Sequence, residues 1–135
     1  PPNFDILDCS TQRNLSKEGE LQALKIGKFF QENDINFTKV ISSEWCRCKD
    51  TAKIAFGNYE TKNFLNSFYD ERFLENKNKQ ILDFQKFIKN WNYSGNLALV
   101  THYVVISEIL DLATSSGEIV ITNKNLEILS SLEIN

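Results

Sequence analysis

The feature that most narrows what this chain can become is the run Leu97-Ala98-Leu99-Val100, with Gly95-Asn96 before it and Thr101-His102 after it. Four apolar residues between turn-formers read as a buried strand, and Val104, Val105, Ile109 and Leu112 read as the helix that follows directly. His102, the sole histidine of the 135 residues, therefore stands where the carboxyl end of a strand meets the amino end of a helix. In open α/β sheets that edge is where ligands bind, and a helix N-terminus offers N–H groups and partial positive charge to an anion.

The remaining pattern repeats this junction. Residues Pro1 to Leu15 carry Pro, Asn, Asp, Ser and Gln without periodicity and read as loop. Ser16 is placed as an N-cap, with Glu18 and Glu20 suited to the first turn, and Leu21, Leu24, Ile26, Phe29 and Phe30 continue a helix to about Gln31. Phe37 to Ser42 reads as a strand, Trp45 to Phe56 as a helix closed by Gly57, and Phe64-Leu65 as a short strand. Asn66 to Asn76 reads as an acidic, aromatic loop. Ile81, Phe84, Phe87 or Ile88, and Trp91 mark a further amphipathic helix. The helix after His102 fades at Ala113, and the β-rich stretches Gly117 to Thr122 and Leu126 to Leu132 flank Asn123-Lys124-Asn125 as a terminal hairpin.

Alternating helices and strands predict one α/β domain over residues 1–135, three-layered α/β/α, with a mostly parallel, doubly wound sheet and helices on both faces. Such a domain ordinarily begins on a strand, whereas this one begins on a helix. A strand before Pro1 is expected, and the absence of methionine agrees with that expectation.

Composition excludes several functions. A net charge of −3 with interspersed signs does not make a nucleic-acid surface; the densest lysines, Lys77, Lys79, Lys86 and Lys89, are diluted by Glu75 and Asp83 into a solvated helix face. No apolar run approaches the roughly 18 residues of a membrane span, and a cytoplasmic protein is expected. Cys46 and Cys48 are too close for a CxxC pair, reduced thiols are the default, and either residue can serve as a small core side chain. One histidine and no second cysteine pair leave a closed zinc site hard to assemble.

Arg47 opens the helix after the strand Phe37 to Ser42, at the same kind of edge as His102. Its guanidinium is always charged and presents a fork of donors matched to phosphate oxygens. Arg13, with Asn14 beside it, precedes the first helix, so two arginines and a histidine can converge on a dianion. A cysteine-dependent phosphatase is rejected because Arg13 follows Cys9 by four positions, where that chemistry requires six.

Thr11-Gln12-Arg13-Asn14-Leu15-Ser16-x-x-Gly19-x-x-Gln22-Ala23, Ser42-Ser43-x-x-x-Arg47-x-x-x-Thr51-Ala52 and Leu99-Val100-Thr101-His102 resemble, in order, landmarks of the histidine phosphatase superfamily with its phosphoglycerate-mutase-like fold. Leu65-Asn66-Ser67-Phe68 and Ser116-Gly117-Glu118-Ile119-Val120 resemble a bacterial branch of short members. The resemblance implies phosphoryl transfer through a phosphohistidine, with no metal and no cofactor. Arg47 then matches a phosphate-clamping arginine and His102 the second histidine of the pocket. Arg13, Asn14 and Thr101 fall to substrate binding, and Asp70 or Glu71 to the general acid, which needs a raised pKa. Asn66-Ser67 is an alternative source of polar contacts.

The sequence departs from the resemblance where the nucleophile belongs: no Arg-His pair occurs. Pro1-Pro2-Asn3-Phe4 suits the tail of such a loop, so the nucleophile is expected upstream of Pro1. A phosphorylated small molecule or a phosphoprotein is the implied substrate, hydrolysis is favoured over mutase activity for so short a chain, and a noncatalytic phospholigand-binding domain is the rival.

Overall fold

The computed structural model describes residues 2–92 and 94–134. Its elements are α1 (Lys17–Glu32), β1 (Phe37–Ser42), α2 (Cys46–Phe56), β2 (Glu60–Thr61), α3 (Lys77–Lys89), β3 (Asn96–Val100), α4 (Tyr103–Leu110), β4 (Ile119–Thr122) and β5 (Ile128–Leu132). β1, β2 and β3 form a parallel sheet in the order β2-β1-β3, while β4 and β5 pair antiparallel as a separate hairpin. The register aligns Ile41 with Leu99 and Ser42 with Val100, which brings the carboxyl ends of β1 and β3, and so the starts of α2 and α4, side by side.

Local chemistry explains the boundaries. Ser16 accepts a hydrogen bond from the Gly19 N–H at 3.0 Å, capping α1 as expected. Gly57 closes α2 at φ 89°, its N–H donating to the Lys53 carbonyl. α4 stops at Leu110, earlier than Ala113, because Asp111 turns left-handed at φ 52° and its N–H donates to Ser107. In the hairpin turn, Asn123 Oδ1 accepts from the N–H groups of Asn125 and Glu127.

Three expectations are corrected. Phe64-Leu65 is not a strand but part of a 3-10 turn, Asn63–Leu65, the second strand being Glu60–Thr61. A strand would send neighbouring side chains to opposite faces, whereas Phe64 and Leu65 are both buried in one cluster with Ile41, Phe68, Phe84, Ile88 and Val105. Within the acidic loop, Glu71–Asn76 forms another 3-10 helix, and α3 starts at Lys77. The cysteines are not all reduced: Cys9 and Cys46 form a disulfide with Cα atoms 5.7 Å apart, and Cys48 is free and buried. Folding, not spacing along the chain, brings that pair together across 37 positions.

A second apolar region lies where α1 crosses α2. Ala23, Ile26, Phe30 and Ala52 are buried, and Phe30, Phe37 and Phe56 form an aromatic triangle with centroid separations of 4.9, 5.0 and 5.9 Å. Gly27 permits the close crossing, since a Cβ there would fall 2.4 Å from the Ala55 carbonyl oxygen. Among the described residues, no helix is long and apolar enough to cross a membrane.

Candidate active site

The site is built from the two strand-to-helix junctions. After β1, Ser43 extends the sheet by one more bond, its N–H donating to the Val100 carbonyl at 2.9 Å. Trp45 then sits extended at φ −67°, ψ 139° and α2 begins, placing Arg47 in its first turn. After β3, His102 is the extended N-cap of α4, at φ −111°, ψ 153°, and its carbonyl accepts from Val105 and Ile106. His102 uses its backbone, not its ring, to start the helix, so the imidazole is free to face α2.

There it is enclosed. His102 is only 5% exposed. Arg47 Nη2 lies 3.2 Å from Nδ1, and Ser43 Oγ lies 2.8 Å from Nε2. Cys48 Sγ is 3.6 Å from the same Nε2. The Trp45 ring meets the imidazole edge-on at 5.0 Å, and the Arg47 guanidinium carbon stands 4.8 Å from the Trp45 ring centre. Phe4 covers Trp45 at 4.6 Å and meets Phe73 at 5.5 Å, so an aromatic roof closes this side.

Burial, reinforced by the adjacent Arg47 charge, pushes the His102 pKa down to about 3. The ring is therefore neutral at neutral pH. Burial likewise raises the Cys48 thiol to about 11, against the opposing pull of Arg47 and the hydrogen bond with Ser43. Cys48 stays a thiol, and its Sγ–H is directed at the Thr101 carbonyl, 3.8 Å away.

A polar shell holds the corner. Asn66 Oδ1 accepts from Ser43 Oγ at 3.1 Å and from the Glu44 N–H at 2.8 Å, while its Nδ2 donates to Glu44 Oε1 at 2.9 Å. Buried Gln80 donates to the Asn66 carbonyl at 2.8 Å. Gln12, also buried, accepts from the Cys46 N–H at 2.9 Å and donates to the Asp5 and Ile6 carbonyls. One of the open N–H groups at the start of α2 is thus satisfied by the N-terminal arm, which the Cys9–Cys46 disulfide also fastens there.

The structure brings Arg47 and His102 together and leaves other expected site residues apart from them. Arg13 is exposed and, among the described residues, has no hydrogen-bond or ion-pair partner. Asn14 is exposed and donates to the Cys9 and Gln12 carbonyls, which braces the arm. Thr101 is next to the site, but its hydroxyl donates to the Leu65 carbonyl at 2.6 Å and ties β3 to the 3-10 turn.

Asp70 caps the 3-10 helix Glu71–Asn76 and is chelated by Arg72 at 2.9 and 3.0 Å. That hydrogen bonding holds its carboxyl down at about 2, the wrong direction for an acid that must carry a proton. Glu71 is exposed in the first turn of the same helix. Ser43, Glu44, Gln12 and Trp45 carry the shell without having been singled out by sequence as site residues. The signal that was present is Ser42-Ser43 closing a buried strand, where a polar residue needs a partner.

No protein-family model and no curated protein sequence matches the chain. Among solved structures it is similar to TTHB049 from Thermus thermophilus, with a TM-score of 0.65 at 17% identity over 90% of this chain and 85% of that one. It is similar to phosphoglycerate mutase from the same organism, with a TM-score of 0.62 at 18% identity and the same coverage. The product of open reading frame Rv3214 from Mycobacterium tuberculosis aligns with a TM-score of 0.53 at 19% identity, covering 74% of this chain and 68% of that one. These likenesses show a phosphoglycerate-mutase-like fold.

Proposed function

We propose that this chain is the phosphate-handling domain of a phosphomonoester hydrolase of the histidine phosphatase type, working through a phosphohistidine on a small-molecule phosphate or a protein phosphohistidine. The domain is read as single and three-layered, with α1 and α2 on one face of the sheet and α3 and α4 on the other. The observation that carries the reading is the 3.2 Å contact between Arg47 Nη2 and His102 Nδ1 at the carboxyl edge of β1 and β3.

Arg47 spends one of its five N–H donors on His102, and the others are available to nonbridging phosphate oxygens. Burial is the larger cause of the His102 depression and the Arg47 charge the smaller; a dianion beside Arg47 would offset the second and favour an imidazole that takes a proton and donates to the transferring group. The attacking imidazole is assigned to the Arg-His loop expected upstream of Pro1. Of the two acid candidates Glu71 is retained, because Asp70 is held ionised by Arg72. Arg13, Asn14 and Thr101 are kept as substrate contacts that a bound phosphoester would have to recruit. No metal is assigned a role, since the Arg47 guanidinium supplies positive charge beside the imidazole.

A second reading is a noncatalytic phospholigand-binding domain. It is favoured by the commitment of both His102 ring nitrogens to protein partners. The test is hydrolysis of p-nitrophenyl phosphate by the full encoded protein, with calorimetric titration of inorganic phosphate alongside. The first reading expects turnover that falls at least about 100-fold in Arg47→Ala and His102→Ala. Phosphate binding that requires Arg47 without turnover supports the second, and neither binding nor turnover defeats both. The cytoplasmic location expected from sequence is set against by the Cys9–Cys46 disulfide, a bond that persists chiefly in oxidising compartments.

A further inference from the structure

The hydrogen bonds around His102 have a direction as well as a length, and the direction can be worked out from both ends. Arginine has donors and no acceptor. Arg47 Nη2 at 3.2 Å from Nδ1 therefore requires a lone pair on Nδ1, which puts the proton of the neutral ring on Nε2. At the far end, Glu44 fixes the amide of Asn66 twice: its carboxylate Oε1 accepts only from Nδ2, and its backbone N–H donates only to Oδ1. Asn66 thus presents oxygen, not nitrogen, to Ser43, so the Ser43 hydroxyl must spend its one proton on Asn66 Oδ1. Ser43 Oγ is left with two lone pairs. One takes the Trp45 N–H at 3.1 Å, and the other faces His102 Nε2 at 2.8 Å, where it can only accept.

Two independent lines, one from the guanidinium and one from the carboxylate, thus arrive at the same tautomer. We propose that Glu44, Asn66 and Ser43 are positioning residues that lock His102 with its proton on Nε2 and its lone pair on Nδ1, aimed at Arg47. Each bond along the series Arg47, His102, Ser43, Asn66 runs from a donor to an acceptor, and the series ends on the Glu44 carboxylate. Reversing any one bond would leave two donors or two lone pairs facing each other, a cost that burial magnifies. Cys48 fits the same order: its sulfur accepts weakly from the Nε2 side while its own proton points to Thr101.

The consequence for a ligand is that the atom offered beside Arg47 is Nδ1. A phosphoryl oxygen entering there would meet an arginine fork and a ring nitrogen that presents a lone pair. That consequence rests on the phosphate reading above, whereas the tautomer does not.

His102 is the one histidine of these 135 residues, and in a ¹⁵N-histidine-labelled sample of the full encoded protein its two ring nitrogen resonances are identified as those lost in His102→Asn. Long-range ¹H–¹⁵N correlation at pH 7 without phosphate is expected to show a single tautomer, proton on Nε2. With Arg47→Leu as the background for every variant, so that the guanidinium no longer holds the Nδ1 lone pair by itself, Asn66→Leu removes the acceptor for the Ser43 proton, which is then free to turn onto Nε2, and a substantial Nδ1–H population should appear. Ser43→Ala should likewise give averaged nitrogen shifts, and Ser43→Thr, which keeps the hydroxyl, should restore the single tautomer.

A wild-type spectrum with the proton on Nδ1 overturns the proposal. So do unchanged ring shifts in a folded Asn66→Leu protein. Should Ser43→Ala not fold, Asn66→Leu decides, with Glu44→Ala, which removes one of the two Asn66 locks, as the graded companion. The measurement involves no turnover, so failure here leaves the hydrolase reading standing, and an inactive protein leaves the tautomer standing.

Discussion

The two ends of α2 are held in opposite ways. At its amino end, Cys46 N–H bonds to Gln12, Arg47 bonds to His102, and a chain of directional contacts runs through Ser43 and Asn66 to Glu44. At its carboxyl end, Ala55 and Phe56 meet Gly27, Phe30 and Phe37 through shape alone, beside a groove lined by Leu24, Phe37, Phe56 and Trp91. Apolar packing tolerates rotation so long as volume is filled, whereas a buried polar chain must have every partner in place. The groove is also lined by Lys28, Lys39 and Glu60, whereas the buried, oriented donors and acceptors gather at the other end. Volume marks where something fits, and oriented donors mark where chemistry is possible.

The largest expected effect comes from breaking the packed end. In Gly27→Ala the new Cβ would lie 2.4 Å from a backbone oxygen and 3.1 Å from two backbone carbons of Ala55, so the two helices must part. Overpacking of this kind costs about 1–3 kcal/mol, which exceeds the roughly 1 kcal/mol gained by placing Ala in a helix. Urea denaturation should show a clear drop in midpoint with the His102 resonances unmoved. A shift of those resonances would mean that the two ends are coupled.

An effect that is absent at neutral pH, where the packed end dominates, and grows on acidification comes from titrating the polar end. His102 has a folded pKa of about 3 against an ordinary 6.5, so between those values the unfolded chain binds the extra proton. Its contribution to stability is full above about pH 6.5 and is lost as pH falls toward 3. The slope approaches about 1.4 kcal/mol per pH unit for one proton. Denaturation at pH 6.5, 5.5 and 4.5, with His102→Asn as reference, should show the wild type losing stability faster on acidification. Equal slopes would mean that the imidazole is not sequestered from protons.

The smallest effect is expected at the exposed rim. Asp70→Asn keeps a capping side chain and removes only a solvent-facing pair with Arg72, and exposed pairs contribute little. The melting temperature should stay within measurement error, and a marked drop would move the polar end's support from its buried bonds to its rim.

These contrasts also explain what could be read from residue order. The run Leu97 to Val100 and its passage into α4 were legible because strand and helix periodicity are local, and the register of β1 with β3 then made neighbours of Arg47 and His102. Phe64-Leu65 misled because two adjacent apolar residues look the same in a strand as in a tight turn whose geometry lets both face inward. The Gln12–Cys46 bond and the Cys9–Cys46 bridge join positions 34 and 37 residues apart. Nothing local to Gln12 distinguishes a buried amide from a surface one. Asp70 had the right residue type, but Arg72 two positions on supplied the fork that holds it ionised.

The Cys9–Cys46 bridge also makes a covalent ring that contains all of α1 and β1. Closing a ring of this size removes about 4 kcal/mol worth of freedom from the unfolded chain on a chain-entropy reckoning. A single nick anywhere along the ring, for instance in the turn at Asp34, leaves two polypeptides that still travel as one molecule. Only a thiol reductant lets them separate, and the piece released from the arm takes with it Gln12, the acceptor that quiets the first turn of the arginine-bearing helix.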